Sequence, residues 1–437
     1  MSSSNIDESY LVESIVASRR GRSLDELDSG SQYATSKPVG SGSGAVITSQ
    51  HTAINGGRIA SLTDFCSQLY TSSVPGPYGT TDIHLGTNKL GEGAQFQVYG
   101  TENVFVPEDL YNTVDRPYKT VDSDIKGRNR RLVVAIKRPK FIIPTGPMPV
   151  NDPSAQVGFG TLTQQRSIQL EVYALSHPPL RSHKNIVKLL GWGFDACERD
   201  EFQVEFEPPR PIYPYLIVEH ANSSLANFLG PNAVEKLKHT AEIPLQVLQH
   251  LILDVTNGLD AIHACNIIHG DIKPDNVLVF PQETNQPYFC IAKLSDFGLS
   301  VSEEQKRGRS ARGAERIYEL GTLGWMAPEF EFGVLPNLLF KTDYFSLGLL
   351  IWSVFLHSGQ CPLKISNPEA ARQALESAVN AYTTAVNVLG QERSLRLRRI
   401  SEALLHWDPM QRSCDLKDIS EQLREDTDIG FDKSGLW

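Results

Sequence analysis

The sequence has little of several features that would assign it to a common class of protein. Its six cysteines are scattered over 437 residues without a CxxC pair, which excludes a disulfide framework and a zinc ribbon. No apolar run approaches the roughly 18 residues that span a bilayer, and no apolar core follows a basic N-terminus. We therefore expect no membrane span and a soluble protein in a reducing compartment, cytoplasmic and with nuclear access left open.

The chain also has no excess of basic residues. It carries 41 Lys plus Arg against 51 Asp plus Glu, a formal net charge of −10. This balance disfavours binding to a phosphate backbone through bulk charge, so we expect no nucleic-acid partner. The chain does have 40% hydrophobic residues, enough for a sizeable core and against wholesale disorder.

The character of the sequence changes near residue 85. Residues 1–84 are rich in Ser, Gly and Thr, which predicts a mostly flexible arm. From 85 to about 218, β-type runs and a helical stretch ending near Ser176 predict a small strand-rich lobe. Two Pro- and Gly-bearing stretches within it, 101–130 and 138–160, are predicted to be surface insertions.

The chain from about 222 to 425 is predicted to be a mainly helical lobe, followed by a short tail at 426–437. Apolar residues recur at three- and four-residue steps from Leu248 to Ile262, which predicts a long, half-buried helix. The stretch from Phe345 to Leu356 is apolar nearly all round, as expected of a helix at the centre of a lobe. The predicted fold class is therefore α+β, in two unequal lobes.

A glycine-containing turn opens the first lobe. In Leu90-Gly91-Glu92-Gly93, the glycines permit a tight strand–turn–strand whose backbone N–H groups can approach a phosphate chain. The simpler interpretation is a hairpin turn without a ligand, and the motif alone favours it.

A lysine ends a later apolar strand, Val134-Ala135-Ile136-Lys137. Its ammonium either reaches solvent or points inward to a polyanion. Glu171, in the predicted helix, could hold Lys137 extended toward phosphates. The simpler alternative for Glu171 is a solvated position on a helix face.

The most informative segment is the polar cluster His269 to Asn276, bracketed by β-branched apolar residues. Buried walls around converging polar groups suggest a site. Soon afterwards an apolar strand delivers Asp296 next to Phe297-Gly298. Asn276 and Asp296 offer the hard oxygen ligands that Mg²⁺ prefers. Turn capping explains either segment alone, but not the ordered set.

In this order the segments resemble the eukaryotic protein kinases, over roughly residues 86–425. The series continues with Gly321 to Glu329, Lys341 to Gly348 and Arg412. The resemblance implies a kinase domain at 85–425. Its expected fold is bilobal, with a small antiparallel β-sheet lobe that carries one helix and a larger, mainly α-helical lobe. ATP, Mg²⁺ (or Mn²⁺) and a protein substrate are the implied partners.

The resemblance also implies roles for individual residues. Lys137, paired with Glu171, would hold the α- and β-phosphates, and Asp296 and Asn276 would bind two Mg²⁺ ions. Asp271 would orient the substrate hydroxyl and accept its proton.

Adenine would contact the linker between the lobes and the residues above and below it. The linker contacts would be backbone groups of Glu219 and Ala221, with Val218 at the entrance to the pocket behind. The residues implied to sandwich the purine are Val98, Ala135 and Leu278, and ordinary core packing explains these three equally well.

The hydroxyl specificity is implied by Lys273, expected beside the γ-phosphate, together with Thr322. Both are typical of serine/threonine kinases, although dual specificity stays open. The resemblance further implies a buried ion pair between Glu329 and Arg412.

Two departures from the family pattern keep a second hypothesis open. Phe96 replaces the third glycine of the loop, and Gly270 replaces the arginine that usually anchors a phosphorylated activation segment. We therefore expect activity without a strict need for phosphorylation of that segment. The alternative is a pseudokinase that acts as a nucleotide-binding scaffold, and a small-molecule kinase is disfavoured by Met326-Ala327-Pro328-Glu329.

Overall fold

A computed structural model gives the structure of the chain, and the residues that it describes lie in one unit, Gly56–Trp437. The described residues are 69, 72, 74–76, 78, 88–92, 96–107, 119–123, 129–139, 162–196, 212–230, 243–282, 290–302, 321–362, 368–412 and 415–424. Most of the predicted arm, most of the insertion 138–160, Gly93 and the tail 426–437 lie outside them, so those predictions stay predictions.

The first lobe is built on an antiparallel sheet in the order β1-β2-β4-β6-β5, with β3 also paired to β4. Its inner strands are rich in buried β-branched residues such as Val134, Ile136 and Ile217, which suit a packed, pleated surface. The strands are β1 (Asn88–Glu92), β2 (Phe96–Pro107), β3 (Lys119–Ser123), β4 (Asn129–Pro139), β5 (Leu189–Ala196) and β6 (Ile212–Glu219).

The described residues of the predicted insertion 101–130 differ from expectation. Residues 101–107 continue β2, 119–123 form β3, and β4 begins at Asn129. Backbone pairing between β2 and β4 extends to Pro107 opposite Asn129. These residues therefore lengthen the sheet, although the Pro and Gly content around them suggested a surface loop.

One long helix packs on this sheet. Helix α1 (Leu162–Ser176) ends at the predicted residue and is followed by the short α2 (Pro178–Arg181). Pro178 explains the break, because a proline disfavours helical backbone in the residue before it. Ile168, Val172 and Leu175 of α1 are buried in the main core.

The second lobe is mainly helical. Its short strands form a three-stranded sheet, β10-β9-β7, and a pair, β11-β8. They are β7 (Ser223–Ser224), β8 (Ile267–Ile268), β9 (Val277–Pro281), β10 (Cys290–Leu294) and β11 (Val301–Ser302). The helices are α3 (Leu225–Leu229), α4 (Leu245–Ala264), α5 (Leu339–Leu356), α6 (Pro368–Thr384), α7 (Val386–Leu389), α8 (Gln391–Leu404) and α9 (Leu416–Arg424).

The two helices expected from the sequence are both present. Helix α4 contains Leu248 to Ile262, and α5 contains Phe345 to Leu356. By length and composition, one stretch among the described residues, Pro336–Leu356, could cross a membrane, contrary to the expectation of no such run. However, 78% of its apolar window is buried inside the fold, as in the core helix of a lobe.

Candidate active site

Lys137, on β4, is buried between two carboxylates. Its Nζ lies 2.9 Å from Oε1 of Glu171 on α1 and 2.8 Å from Oδ1 of Asp296, just after β10. Burial alone would lower the pKa of Lys137, but both carboxylates outweigh it and raise the pKa above its usual value. The structure therefore brings together three residues that stand far apart in the sequence, with the lysine charged.

Glu171 connects α1 to the segment that carries Asp296. Its Oε2 accepts a hydrogen bond of 2.6 Å from the backbone N–H of Phe297, while Oε1 contacts Lys137. Burial raises the pKa of Glu171, although the Lys137 ammonium opposes the shift. The solvated helix-face alternative for Glu171 is wrong, because the side chain is buried.

Asp296 is the more open of the two carboxylates. Its side chain is 36% exposed, and its backbone has a φ of 63°, which is unusual for a residue other than glycine. Burial would raise the pKa of Asp296, but the Lys137 ammonium outweighs it and lowers the pKa below its usual value. Asp296 is therefore ionised, with part of its carboxylate available to a ligand.

Asp271 is held on one side and free on the other. Its Oδ2 lies 2.8 Å from Nδ2 of Asn276, which donates to it, and 3.0 Å from Nζ of Lys273. Its Oδ1 is buried and has no hydrogen-bond partner among the described residues. A buried carboxylate oxygen without a partner is costly, so this atom is an acceptor suited to a bound hydroxyl group.

Lys273 also hydrogen-bonds to Oγ1 of Thr322, so it connects the segment His269 to Asn276 to the segment that begins at Gly321. The approach is close: a Cβ on Gly321 would lie 2.7 Å from the backbone oxygen of Gly270. The two residues expected to specify the hydroxyl substrate, Lys273 and Thr322, are therefore in direct contact.

Asp343 on α5 holds the backbone of the segment His269 to Asn276 by hydrogen bonds. The sequence predicted no role for this residue. The N–H groups of His269 and Gly270 donate to its carboxylate at 2.8 and 2.9 Å. Burial would raise the pKa of Asp343, but hydrogen bonds from the ring of His263 and from the backbone N–H of Gly270 help to lower it below its usual value. The only signal in the sequence was the position of Asp343 within the segment Lys341 to Gly348.

His269 supports Asp271 as a neutral ring. Its Nδ1 accepts the backbone N–H of Asp271 at 3.2 Å, and its Nε2 lies 3.1 Å from the carbonyl oxygen of Ser295. Burial lowers the pKa of His269, consistent with a proton on Nε2 alone.

The residues expected around adenine lie at the inner edges of the two lobes. Ala135 on β4 is paired with Val218 on β6, and both are buried, whereas Val98, Leu278 and Ala221 are partly buried against the same core. Leu90, Gly91 and Glu92 lie on β1. Both expectations for these residues, a nucleotide site and ordinary core packing, fit this placement.

Glu219 has a role that the sequence analysis missed. Its side chain forms a 2.6 Å ion pair with Lys293 on β10, and its backbone N–H donates to the carbonyl oxygen of Lys188. The expectation for Glu219 concerned only its backbone groups. Nothing in the local sequence pairs two residues that lie 74 positions apart.

Phe96, which replaces the third glycine of the loop, is only 3% exposed. Its ring centroid lies 4.2 Å from Nζ of Lys137, a cation–π distance. The aromatic ring therefore covers one side of the buried ammonium.

The predicted ion pair between Glu329 and Arg412 is confirmed. NH1 and NH2 of Arg412 donate to the two carboxylate oxygens of Glu329 at 2.6 and 2.7 Å. The pair is bidentate and fastens the segment after Gly321 to the end of the helical lobe.

Comparison with known proteins agrees with this geometry. The family model "Protein kinase domain" matches residues 161–423, and the chain belongs to the protein kinase family. The resemblance and the α+β bilobal fold expected from the sequence are thereby confirmed. The matched region starts after β4, so Lys137 joins the site through the geometry rather than through this match.

Several plant kinases are among the similar proteins. The chain is 27% identical to serine/threonine-protein kinase STY46 of Arabidopsis thaliana, over 56% of this chain and 34% of that protein. It is 30% identical to a leaf rust 10 disease-resistance locus receptor-like protein kinase, like 2.1, of the same plant, over 46% of this chain and 26% of that protein. It is 28% identical to rust resistance kinase Lr10 of Triticum aestivum, over 53% and 34%. The chain thus spans about a third or less of the length of these relatives.

Proposed function

We propose that the protein is an ATP-dependent protein kinase that phosphorylates serine and threonine hydroxyls. The observation that carries this proposal is the state of Asp271: Lys273 and Asn276 hold one carboxylate oxygen, and the other is buried without a partner among the described residues. A substrate hydroxyl that donates to this oxygen would be oriented for transfer and could give up its proton there.

Lys137 and Glu171 supply the phosphate-binding part of the proposal. The ammonium already lies between the lobes, held by Glu171 and Asp296, so little reorganisation is needed when phosphates arrive. Such prearranged charge is the main source of catalysis in phosphoryl transfer. Lys273, between Asp271 and Thr322, would contact the transferring group.

Asn276 and Asp296 fit a magnesium site. Among the described residues, no group of three or more His, Cys, Asp or Glu could form a closed metal cage. Mg²⁺ commonly uses one or two protein oxygen ligands and completes its shell with water and phosphates, and the partly exposed Asp296 is such a ligand. When bound, the metal would neutralise charge on the transferring phosphate.

Serine/threonine specificity is supported by the contact between Lys273 and Thr322 and by two relatives from Arabidopsis thaliana, the serine/threonine-protein kinases STY46 and STY17. Adenine would lie near Val98, Ala135, Val218, Ala221 and Leu278, with Glu219 contributing its backbone carbonyl.

A second candidate function is a pseudokinase that binds nucleotide as a scaffold. Phe96 favours it, because an aromatic ring covers the lysine where the family has a glycine. Against it, Lys137, Glu171, Asp271, Asn276 and Asp296 are all present and suitably placed.

The test is radiolabel transfer from ATP·Mg²⁺ to a generic basic protein. Asp271→Asn should lower the rate by about 10²- to 10⁴-fold, because it removes the acceptor for the hydroxyl proton. Asp275→Asn is the matched control: Asp275 is exposed in the same turn, and its loss should leave the rate nearly unchanged. Equal transfer by wild type and Asp271→Asn would refute the enzyme proposal, and Mg·ADP binding without transfer would favour the scaffold.

A further inference from the structure

A short segment ahead of β1 lies along the edge of the first lobe. Its described residues, Leu69, Ser72, Val74, Pro75, Gly76 and Tyr78, are named the strap below. Strand β5 ends the sheet order, and Tyr78 forms a parallel bridge with Gly193 of β5. The strap thus covers an edge strand that would otherwise present unpaired backbone groups. The sequence predicted these residues to be part of a flexible arm.

Hydrogen bonds join the strap to three elements of the lobe. The N–H of Tyr78 donates to the carbonyl oxygen of Trp192 at 2.9 Å, and the N–H of Trp192 donates to Pro75 at 3.2 Å. The indole N–H of Trp192 donates to Val74, and the hydroxyl of Tyr215 on β6 donates to Tyr78. NH1 of Arg181, on α2, donates to the carbonyl oxygen of Ser72.

Glycines on both sides make this close approach possible. A Cβ on Gly76 would lie 2.5 Å from the backbone oxygen of Trp192, and Gly76 has a φ of 142°. On the facing strand, a Cβ on Gly191 would lie 2.6 Å from the ring of Tyr78, and one on Gly193 would lie 2.4 Å from the carbonyl oxygen of Tyr78. Three positions that tolerate no side chain define a fitted surface rather than a chance contact.

The strap side chains reach both faces of the sheet. Leu69 and Val74 are buried in the main core together with Ile168 and Val172 of α1. Tyr78 packs instead against the smaller core on the opposite face. The strap therefore wraps around the edge and contributes to the same core on which the helix that carries Glu171 is packed.

We propose that the strap is a positioning element that braces α1 and so keeps Glu171 next to Lys137. The proposal rests on the proposed kinase function for its effect on rate, but the bracing itself is independent of that function. If the strap leaves β5, the core that α1 shares with Leu69 and Val74 loses these two side chains, and the contact between Glu171 and Lys137 becomes less populated.

The experiment compares full-length Gly76→Ala with Gly390→Ala. The first change puts a methyl group against the Trp192 carbonyl. The second adds the same group at another glycine with a positive φ, 82°, and with nothing within 4 Å, so it controls for the cost of placing a side chain at positive φ. By hydrogen exchange with mass spectrometry, Gly76→Ala should speed exchange about tenfold in residues 162–176 and 189–196, and the control should not.

Phosphoryl transfer then tests the positioning role. Gly76→Ala should lower kcat about tenfold with little change in KM for the protein substrate. In a Glu171→Gln background it should lower kcat no further, because the strap acts through Glu171; a merely structural role would give the same factor in both backgrounds. Tyr215→Phe removes a single strap hydrogen bond and should give a smaller effect of the same kind if Gly76→Ala folds poorly.

Three results would overturn the proposal: unchanged exchange in both segments, faster exchange in 189–196 alone, or equal loss of kcat in both backgrounds. If wild type transfers no phosphate, the kinase proposal fails, while the exchange of 162–176 still decides whether the strap braces α1.

Discussion

Among the residues that the structure describes, two buried lysines differ in what surrounds them. Lys137 contacts two carboxylates, of which Asp296 is 36% exposed. Lys293 forms a 2.6 Å pair with Glu219, both side chains are 1% exposed, and its Nζ lies 4.5 Å from the ring centroid of Phe280. The first is an open site between the lobes, and the second is a closed pair behind the linker.

This difference in exposure distinguishes a binding site from an ion pair that only stabilises the fold. At the open site, one cation faces two carboxylates, and the raised pKa of Glu171 reflects its burial in that negative surrounding. A further cation can bind there, or Lys137 can exchange one carboxylate for another ligand, because the side chain of Asp296 is partly exposed to water. At the closed pair, neither charge can be hydrated, so each depends on opposite charge close by. Function is therefore expected at Lys137 and stability at Lys293.

The largest effect is expected at the closed pair. Lys293→Met should lower the free energy of unfolding by about 3–5 kcal/mol, because Glu219 is left buried and charged. Urea unfolding measures this loss. Lys188, whose Nζ lies 3.6 Å from Oε1 of Glu219, compensates in part and favours the lower end of that range.

The double variant Lys293→Met/Glu219→Leu is the control for this prediction. It removes both charges, and most of the lost stability should return, because apolar residues can replace a buried pair at little cost. A single variant as stable as wild type would show that the pair is not closed.

At the open site the same substitution should act on rate. Lys137→Met should lower phosphoryl transfer by about 10²- to 10³-fold, the usual cost of losing one prearranged electrostatic contact to the transition state. Its loss of stability should be smaller than that of Lys293→Met, because Asp296 is hydrated and Glu171, with its raised pKa, can take up a proton. Radiolabel transfer and urea unfolding of both variants test the contrast, and equal losses of stability would contradict it.

The sequence could predict the open site because each of its residues stands in a local pattern. Lys137 ends an apolar strand, Asp271 and Asn276 share one loop, and Asp296 precedes a glycine. The helices α4 and α5 followed from hydrophobic periodicity in the same way. Each of these signals is contained within about 20 residues or fewer.

The closed pair and the strap could not be predicted, since their signals are not local. Lys293 is the one charged residue in an apolar strand and gives no indication of Glu219, which is distant in sequence and near only after folding. Leu69 and Val74 lie in a Ser- and Gly-rich stretch, where composition indicates flexibility. The fit of the strap against β5 depends on Gly191 and Gly193, which make room for Pro75 and Tyr78.

The open site also rests on a neutral histidine, and acid should weaken it. The lowered pKa of His269 means that the unfolded chain takes up a proton below about pH 6.5 that the folded chain resists. The free energy of unfolding should therefore keep its full value above that pH and decrease as the pH falls below it. Urea unfolding between pH 7.5 and 5.5 measures the slope.

His269→Asn isolates the contribution of His269 to this pH dependence. The variant is needed because burial also lowers the pKa values of His183, His250 and His357. The asparagine offers an acceptor to the Asp271 N–H but cannot take up the proton. The variant should be less stable at pH 7.5, yet its slope should be shallower by up to about 1.4 kcal/mol per pH unit. An unchanged slope would contradict the prediction, because the folded chain would then take up the proton on His269 as readily as the unfolded chain does.

The smallest effect is expected at Gly270, the backbone support of the open site. Gly270→Ala should cost about 1 kcal/mol of stability, because the residue has a φ of 79° and a side chain is disfavoured in that region. Gly390→Ala measures the cost of strain alone, since its φ is 82° and its surroundings are empty. Thermal unfolding of both variants compares their losses of stability.

If Gly270→Ala loses more stability than Gly390→Ala and also slows phosphoryl transfer, the N–H contact of Gly270 with Asp343 has moved and Asp271 with it. If both variants cost the same and the rate is unchanged, the conformation of the loop is set by Asp343 and not by the glycine.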